Sequence, residues 1–91
     1  MAEAIVRYLV SPHALEQLRR RGLALSLLVD VLTSPEQRAA LSPGRDVLQS
    51  LATIDGRRYL VRVIVDVERD PPVVVTAYRT SKIDKYWVTE P

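Results

Sequence analysis

The chain has 91 residues, 47% of them hydrophobic and 26% charged, which is enough for one small domain spanning residues 1–91 and leaves no material for a second. It holds no cysteine and a single histidine, excluding a disulfide framework and a thiolate metal site, so neither metal nor cofactor is expected. The formal net charge is only +2, so the placement of charge matters more than its sum.

Met1 to Arg7 lack the apolar core of a signal peptide and no apolar run approaches membrane-spanning length, so a cytoplasmic protein without membrane contact is expected. Arg7-Tyr8-Leu9-Val10 reads as a short extended entry. Ser11 has N-cap chemistry and Pro12 suits the first helical position, predicting a helix from about Pro12 to Arg21 that Gly22 ends. Its apolar stripe is Ala14, Leu15 and Leu18. His13, Gln17 and Arg20 share the opposite side, with Glu16 placed to pair with Arg20.

A second helix is predicted over Leu25 to Thr33, from the helical spacing of Leu25, Leu28, Val29 and Leu32 and the stop at Ser34-Pro35. Ala24 offers it no capping side chain. Leu27 and Val31 add apolar residues off that stripe, so the helix is either sandwiched between sheet and first helix or turns an apolar face to a partner, such as a second copy of the chain. Glu36 to Gly44 reads as a loop. Asp46 to Ile54 and Arg58 to Val67 have strand character around the two-residue hairpin signal Asp55-Gly56, and Asp70-Pro71-Pro72 turns the chain into a last strand, Val73 to Tyr78. The class is α+β, with two N-terminal helices packed on a three- to four-stranded antiparallel sheet.

The last third carries the chemistry. The apolar strand Val73-Val74-Val75-Thr76-Ala77-Tyr78 runs directly into Arg79-Thr80-Ser81-Lys82-Ile83-Asp84-Lys85-Tyr86-Trp87, where cations that hold phosphate sit beside phenols that stack on bases. Eleven of the 13 basic residues are Arg, which favours bidentate phosphate contacts, although a genome rich in G and C produces the same bias.

Pro12-His13-Ala14-Leu15-Glu16-Gln17-Leu18, then Arg21-Gly22-Leu23, a second helix ending in Ser34-Pro35, and the ending from Val74 through Ile83 to Tyr86 together resemble small prokaryotic domains of unknown function related to RelE/ParE-like toxins. The resemblance covers nearly the whole chain through short, degenerate motifs. It implies helices on one face of an antiparallel sheet, as in barnase- and RelE-like ribonucleases, metal-independent cleavage of RNA, often on the ribosome, or gyrase poisoning in the ParE branch, and a cognate antitoxin as partner. Two features depart from that pattern: Ala24 stands where a small polar cap is expected, and no glutamate stands out as a barnase-like base.

Metal-independent RNA cleavage needs a base for the 2′-OH proton, cations for the charge on phosphorus and an acid for the leaving 5′-oxygen. The candidate catalytic set is His13, Arg79, Lys82 and Tyr86. Histidine is the side-chain type that exchanges protons near neutrality, and suits a base; a lone helical His is more often a surface residue. Arg79 and Lys82 follow the last strand and suit a phosphate clamp, against the plainer reading of solvated charges on a terminal turn. Candidate RNA-binding residues are Arg20, Arg58, Arg62, Tyr78 and Lys85. Arg58 and Arg62 share a strand face by the period-two rule. The Arg19-Arg20-Arg21 triplet suits RNA backbone, and equally suits a helix C-terminus.

The leading expectation is a toxin-like metal-independent endoribonuclease. The rival from another class is a non-catalytic protein- or nucleic-acid-binding module of the same fold, docking through Leu27 and Val31. A DNA-binding helix-turn-helix is disfavoured because the second helix is too apolar for a major groove.

Overall fold

Ser11 sets the fold in motion. In the computed structural model, which describes residues 2–89, its hydroxyl accepts from the Ala14 backbone N–H at 3.0 Å and Pro12 opens helix α1, Pro12–Arg20. Gly22, at φ +62°, takes the left-handed conformation that ends the helix. Ser11→Ala orphans one of the first-turn N–H groups and is expected to cost about 1 kcal/mol, lowering the thermal midpoint by about 4–8 °C. Calorimetry checks it.

Helix α2, Leu25–Thr33, starts at Ala24 without a side-chain cap. Both helices lie on one side of the sheet, α1 against its last long strand and α2 against its middle. The sheet has five strands: β1 Leu9–Val10, β2 Gln37–Ser42, β3 Arg45–Ile54, β4 Arg57–Asp66 and β5 Val73–Thr80, followed by the short helix α3, Ile83–Tyr86. Their order is β1-β5-β4-β3-β2, with β1 parallel to β5 and every other pair antiparallel. Asp55 and Gly56 both have positive φ, 52° and 78°, as a two-residue hairpin turn between twisted strands requires.

Two strands correct the expected three- to four-stranded antiparallel sheet. The extended entry becomes β1, which is held beside Val73 and Val74 and makes the sheet mixed. The expected loop Glu36 to Gly44 contains β2, an edge strand bonded by its backbone to β3. An edge strand buries little, so Gln37-Arg38-Ala39-Ala40 shows no apolar alternation.

The core between helices and sheet joins Ala14, Leu18, Leu28, Val31 and Leu32 to Leu48, Val61, Val63, Val65, Val74 and Ala77. Val74 and Ala77 reach the same face because Ile64 pairs with Thr76 and Val65 with Val74, leaving Val75 as a bulge. The helices are rotated from the expected stripes. In α1, Leu15 is 48% exposed and Glu16 pairs with Arg19 rather than Arg20. In α2, Val31 is buried and Leu27 packs on the core, while Leu25 and Val29 face outward.

Candidate functional site

The sheet face away from α1 and α2 carries a polar row that crosses four strands. Gln37 pairs in register with Gln49, Gln49 with Arg62, and Arg62 with Tyr78, so all four side chains stand on one face at one level. They are bonded end to end. Arg62 donates from Nε to Gln49 Oε1 at 2.9 Å and from Nη1 to the Tyr78 hydroxyl at 2.5 Å. Gln49 Nε2 donates to Gln37 Oε1 at 2.8 Å and to the Tyr86 carbonyl at 3.1 Å. The Gln37 amide then grips the Val88 peptide on both sides, donating to its carbonyl at 2.7 Å and accepting from its N–H at 3.0 Å.

That row fixes the C-terminal segment over the sheet. Helix α3 has no buried residue of its own, so the amide contacts to Tyr86 and Val88 hold it where its one turn of backbone cannot. The result sets the Tyr86 ring 4.2 Å from the Arg62 guanidinium carbon, with Tyr78 edge-on to Tyr86 at 6.5 Å.

Arg62 is 8% exposed, and among the described residues no carboxylate pairs with it. Its hydrogen-bond partners among the described residues, Gln49 and Tyr78, are neutral, and Nη2 bonds no described residue. A largely desolvated cation with no described counter-charge, and with one guanidinium nitrogen that bonds no described residue, has the chemistry to take an anion. A guanidinium stays charged and carries more donors than these two bonds use, which suits it to phosphate.

The sequence candidates separate in space. Tyr78, Tyr86 and Arg62 converge, and Lys85 places its ammonium 5.2 Å from the Tyr86 ring. Arg79 alternates to the opposite face from Tyr78 and stacks at 4.9 Å on Tyr59. Lys82 is exposed after β5, its backbone N–H bonded to Thr80 Oγ1. His13 is exposed beside Ser11, whose N–H bonds Val74 at the start of β5. From there to Thr80 is roughly 20 Å of strand, so His13 stands at the far end of β5 from Lys82, on a helix that packs on the sheet face opposite Tyr86. Arg58 shares the Arg62 face and, with Leu51, Ile83, Asp84 and Trp87, lines a shallow cleft of about 540 Å³ beside α3. Arg20 lies at the end of α1 beside Arg21 and Gln17, which bond Ala77 and Thr76 on the free edge of β5, the stretch beyond Val73 and Val74 that β1 leaves uncovered.

Gln37 and Gln49 are the members that sequence reading misses. The available signal was Arg62 itself, a lone cation in Leu60-Val61-Arg62-Val63-Ile64-Val65, which marks a strand covered on both faces. Among the described residues no three His, Asp or Glu side chains group as metal ligands, and no helix is long and apolar enough to cross a membrane.

A family model for a domain of unknown function, DUF4258, matches residues 10–79. The chain belongs to the DUF4258 family. The DUF4258 match runs from β1 to the end of β5, so it takes in Gln37, Gln49, Arg62 and Tyr78 and stops short of Tyr86. No curated protein and no solved structure matches the chain.

Proposed function

We propose that this chain acts on RNA as a RelE/ParE-like toxin, holding a backbone phosphate at Arg62 and cleaving the neighbouring bond without a metal. The observation that carries the reading is the buried Arg62 guanidinium, which pairs with no described carboxylate and whose Nη2 bonds no described residue. In cleavage the 2′-oxygen attacks phosphorus, the bond to the 5′-oxygen breaks, and a 2′,3′-cyclic phosphate and a 5′-hydroxyl result. Arg62 would neutralise the charge that builds on the phosphoryl oxygens. The Tyr78 hydroxyl is tied to Arg62, so the Tyr86 hydroxyl, which bonds no described residue, would be the group that moves the proton from the 2′-oxygen to the leaving 5′-oxygen, with Lys85 and Lys82 adding positive charge at that end. On this reading a cognate antitoxin silences the protein by covering Arg62.

The test is induced expression in a bacterial host, comparing wild type with Arg62→Gln and Tyr86→Phe for growth and RNA integrity. Growth arrest with fragmented RNA in wild type, lost in both folded variants, is the expected result. Arrest that persists undiminished in folded Arg62→Gln sinks the assignment. A second reading, a non-catalytic docking module, is favoured by the exposed apolar residues Leu15, Leu25 and Val29 on the outer helix surfaces, 48%, 51% and 38% exposed. Normal growth and intact RNA from soluble, folded wild type selects it.

A further inference from the structure

The polar row does not end at Tyr78. Arg21, just past α1, reaches over the free edge of β5, donates from Nη1 to the Ala77 carbonyl at 2.7 Å, and places its guanidinium carbon 6.0 Å from the Tyr78 ring centroid. Arg62 approaches the same ring at 5.7 Å. The guanidinium carbons of Arg21 and Arg62 are therefore less than twice 6.0 Å apart, both beside the Tyr78 ring. Neither pairs with a described carboxylate, and Glu16, the acid on that helix, is taken by Arg19 at 2.6 Å. Arg20 stands beside Arg21, and with Gln17 the two line a recess of about 240 Å³.

With no described carboxylate to offset either, the positive potentials of Arg21 and Arg62 add around the Tyr78 ring. Their positions are fixed, Arg62 by Gln49 and Tyr78 and Arg21 by a backbone carbonyl. We propose, building on the RNA reading above, that Arg20 and Arg21 form a second phosphate subsite, so that a single RNA strand crosses the free edge of β5 over Tyr78 with one phosphate at Arg62 and a neighbouring one at the end of α1. The track selects single-stranded RNA, because splayed bases are free to lie against Tyr78 while the backbone follows the cations. It also sets a minimum substrate, since a dinucleotide has a single phosphodiester and fills one position only.

The experiment measures binding of 2′-O-methyl oligouridine, which resists attack by a 2′-oxygen, as a dinucleotide and as a hexanucleotide over a range of salt. For wild type the hexamer binds more tightly and with a steeper salt dependence. The Arg20→Gln/Arg21→Gln variant is expected to lose about tenfold for the hexamer and almost nothing for the dinucleotide, with a salt slope shallower by about 0.7 for each phosphate that is no longer neutralised. Arg20→Gln alone, at an exposed position with no described structural contact, shows a smaller loss in the same direction and guards against a folding artefact. A hexamer affinity and slope unchanged in the double variant, with wild type binding well, overturns the subsite and leaves the Arg62 reading standing. No binding by wild type overturns both. Poly-glutamate binding that depends on Arg20 and Arg21 while RNA binding does not assigns the patch to an acidic protein and overturns the RNA track.

Discussion

Arg62→Met is expected to weaken binding of single-stranded RNA by about 2 to 3 kcal/mol, roughly 30- to 150-fold, while moving folding stability by no more than about 1 kcal/mol. The two effects part because they have different origins. A buried guanidinium without a counter-charge is a cost to the fold, and an apolar side chain of similar length removes that cost while losing the bonds to Gln49 Oε1 and the Tyr78 hydroxyl. The phosphate loses its charged donors outright. Arg62→Ala provides the contrast, since it leaves the same two partners unpaired and opens a cavity that Met would fill, and it is expected to cost about 2–4 kcal/mol. Urea unfolding and fluorescence anisotropy on the same preparations separate the cases. A structural Arg62 reverses the pattern: Met destabilises strongly and RNA binding by the folded fraction is unchanged.

What the sequence makes legible follows from how local each determinant is. Ser11-Pro12, Gly22, Ser34-Pro35 and Asp55-Gly56 act within a few residues of themselves, and the two helices and the central hairpin fall where those signals place them. Strand β2 has no such signal, because its bonds to β3 are backbone bonds and its side chains do not alternate. The two residues of β1 are a strand only by virtue of β5 lying next to them.

The site is less local still. That Gln37, Gln49, Arg62 and Tyr78 form one row depends on register across four strands, and a one-residue slip in any pair would break it. Sequence reading brings Arg62, Tyr78 and Tyr86 into its candidate lists because cations and phenols are conspicuous. The period-two rule puts Arg79 on the face opposite Tyr78 only once β5 is known to run on to Thr80, beyond the strand end expected at Tyr78. Glutamines look like surface residues until their register neighbours are known, so the pieces that hold α3 in place stay hidden.

Leu28→Ala is expected to cost about 3–5 kcal/mol, a large share of the roughly 5–14 kcal/mol available to a chain of this size. Leu28 is fully buried where α2 meets β3 and β4, and the surrounding Val63 and Leu32 are themselves packed too tightly to fill the space. The informative comparison lies on the same helix. The spacing of apolar residues in α2 puts Val29 on the inward stripe and Val31 off it, whereas the structure leaves Val29 38% exposed and Val31 2%. Val31→Ala should therefore cost about 2 kcal/mol and Val29→Ala less than about 0.5 kcal/mol. Denaturation midpoints of the three variants decide it, and equal losses at positions 29 and 31 would mean that α2 sits rotated from the orientation described. The same rotation bears on partners. A docking surface on α2 has to use Leu25 and Val29, since Val31 is spent on the core, so Val29→Ser should disturb association without disturbing the fold and Val31→Ser should do the reverse.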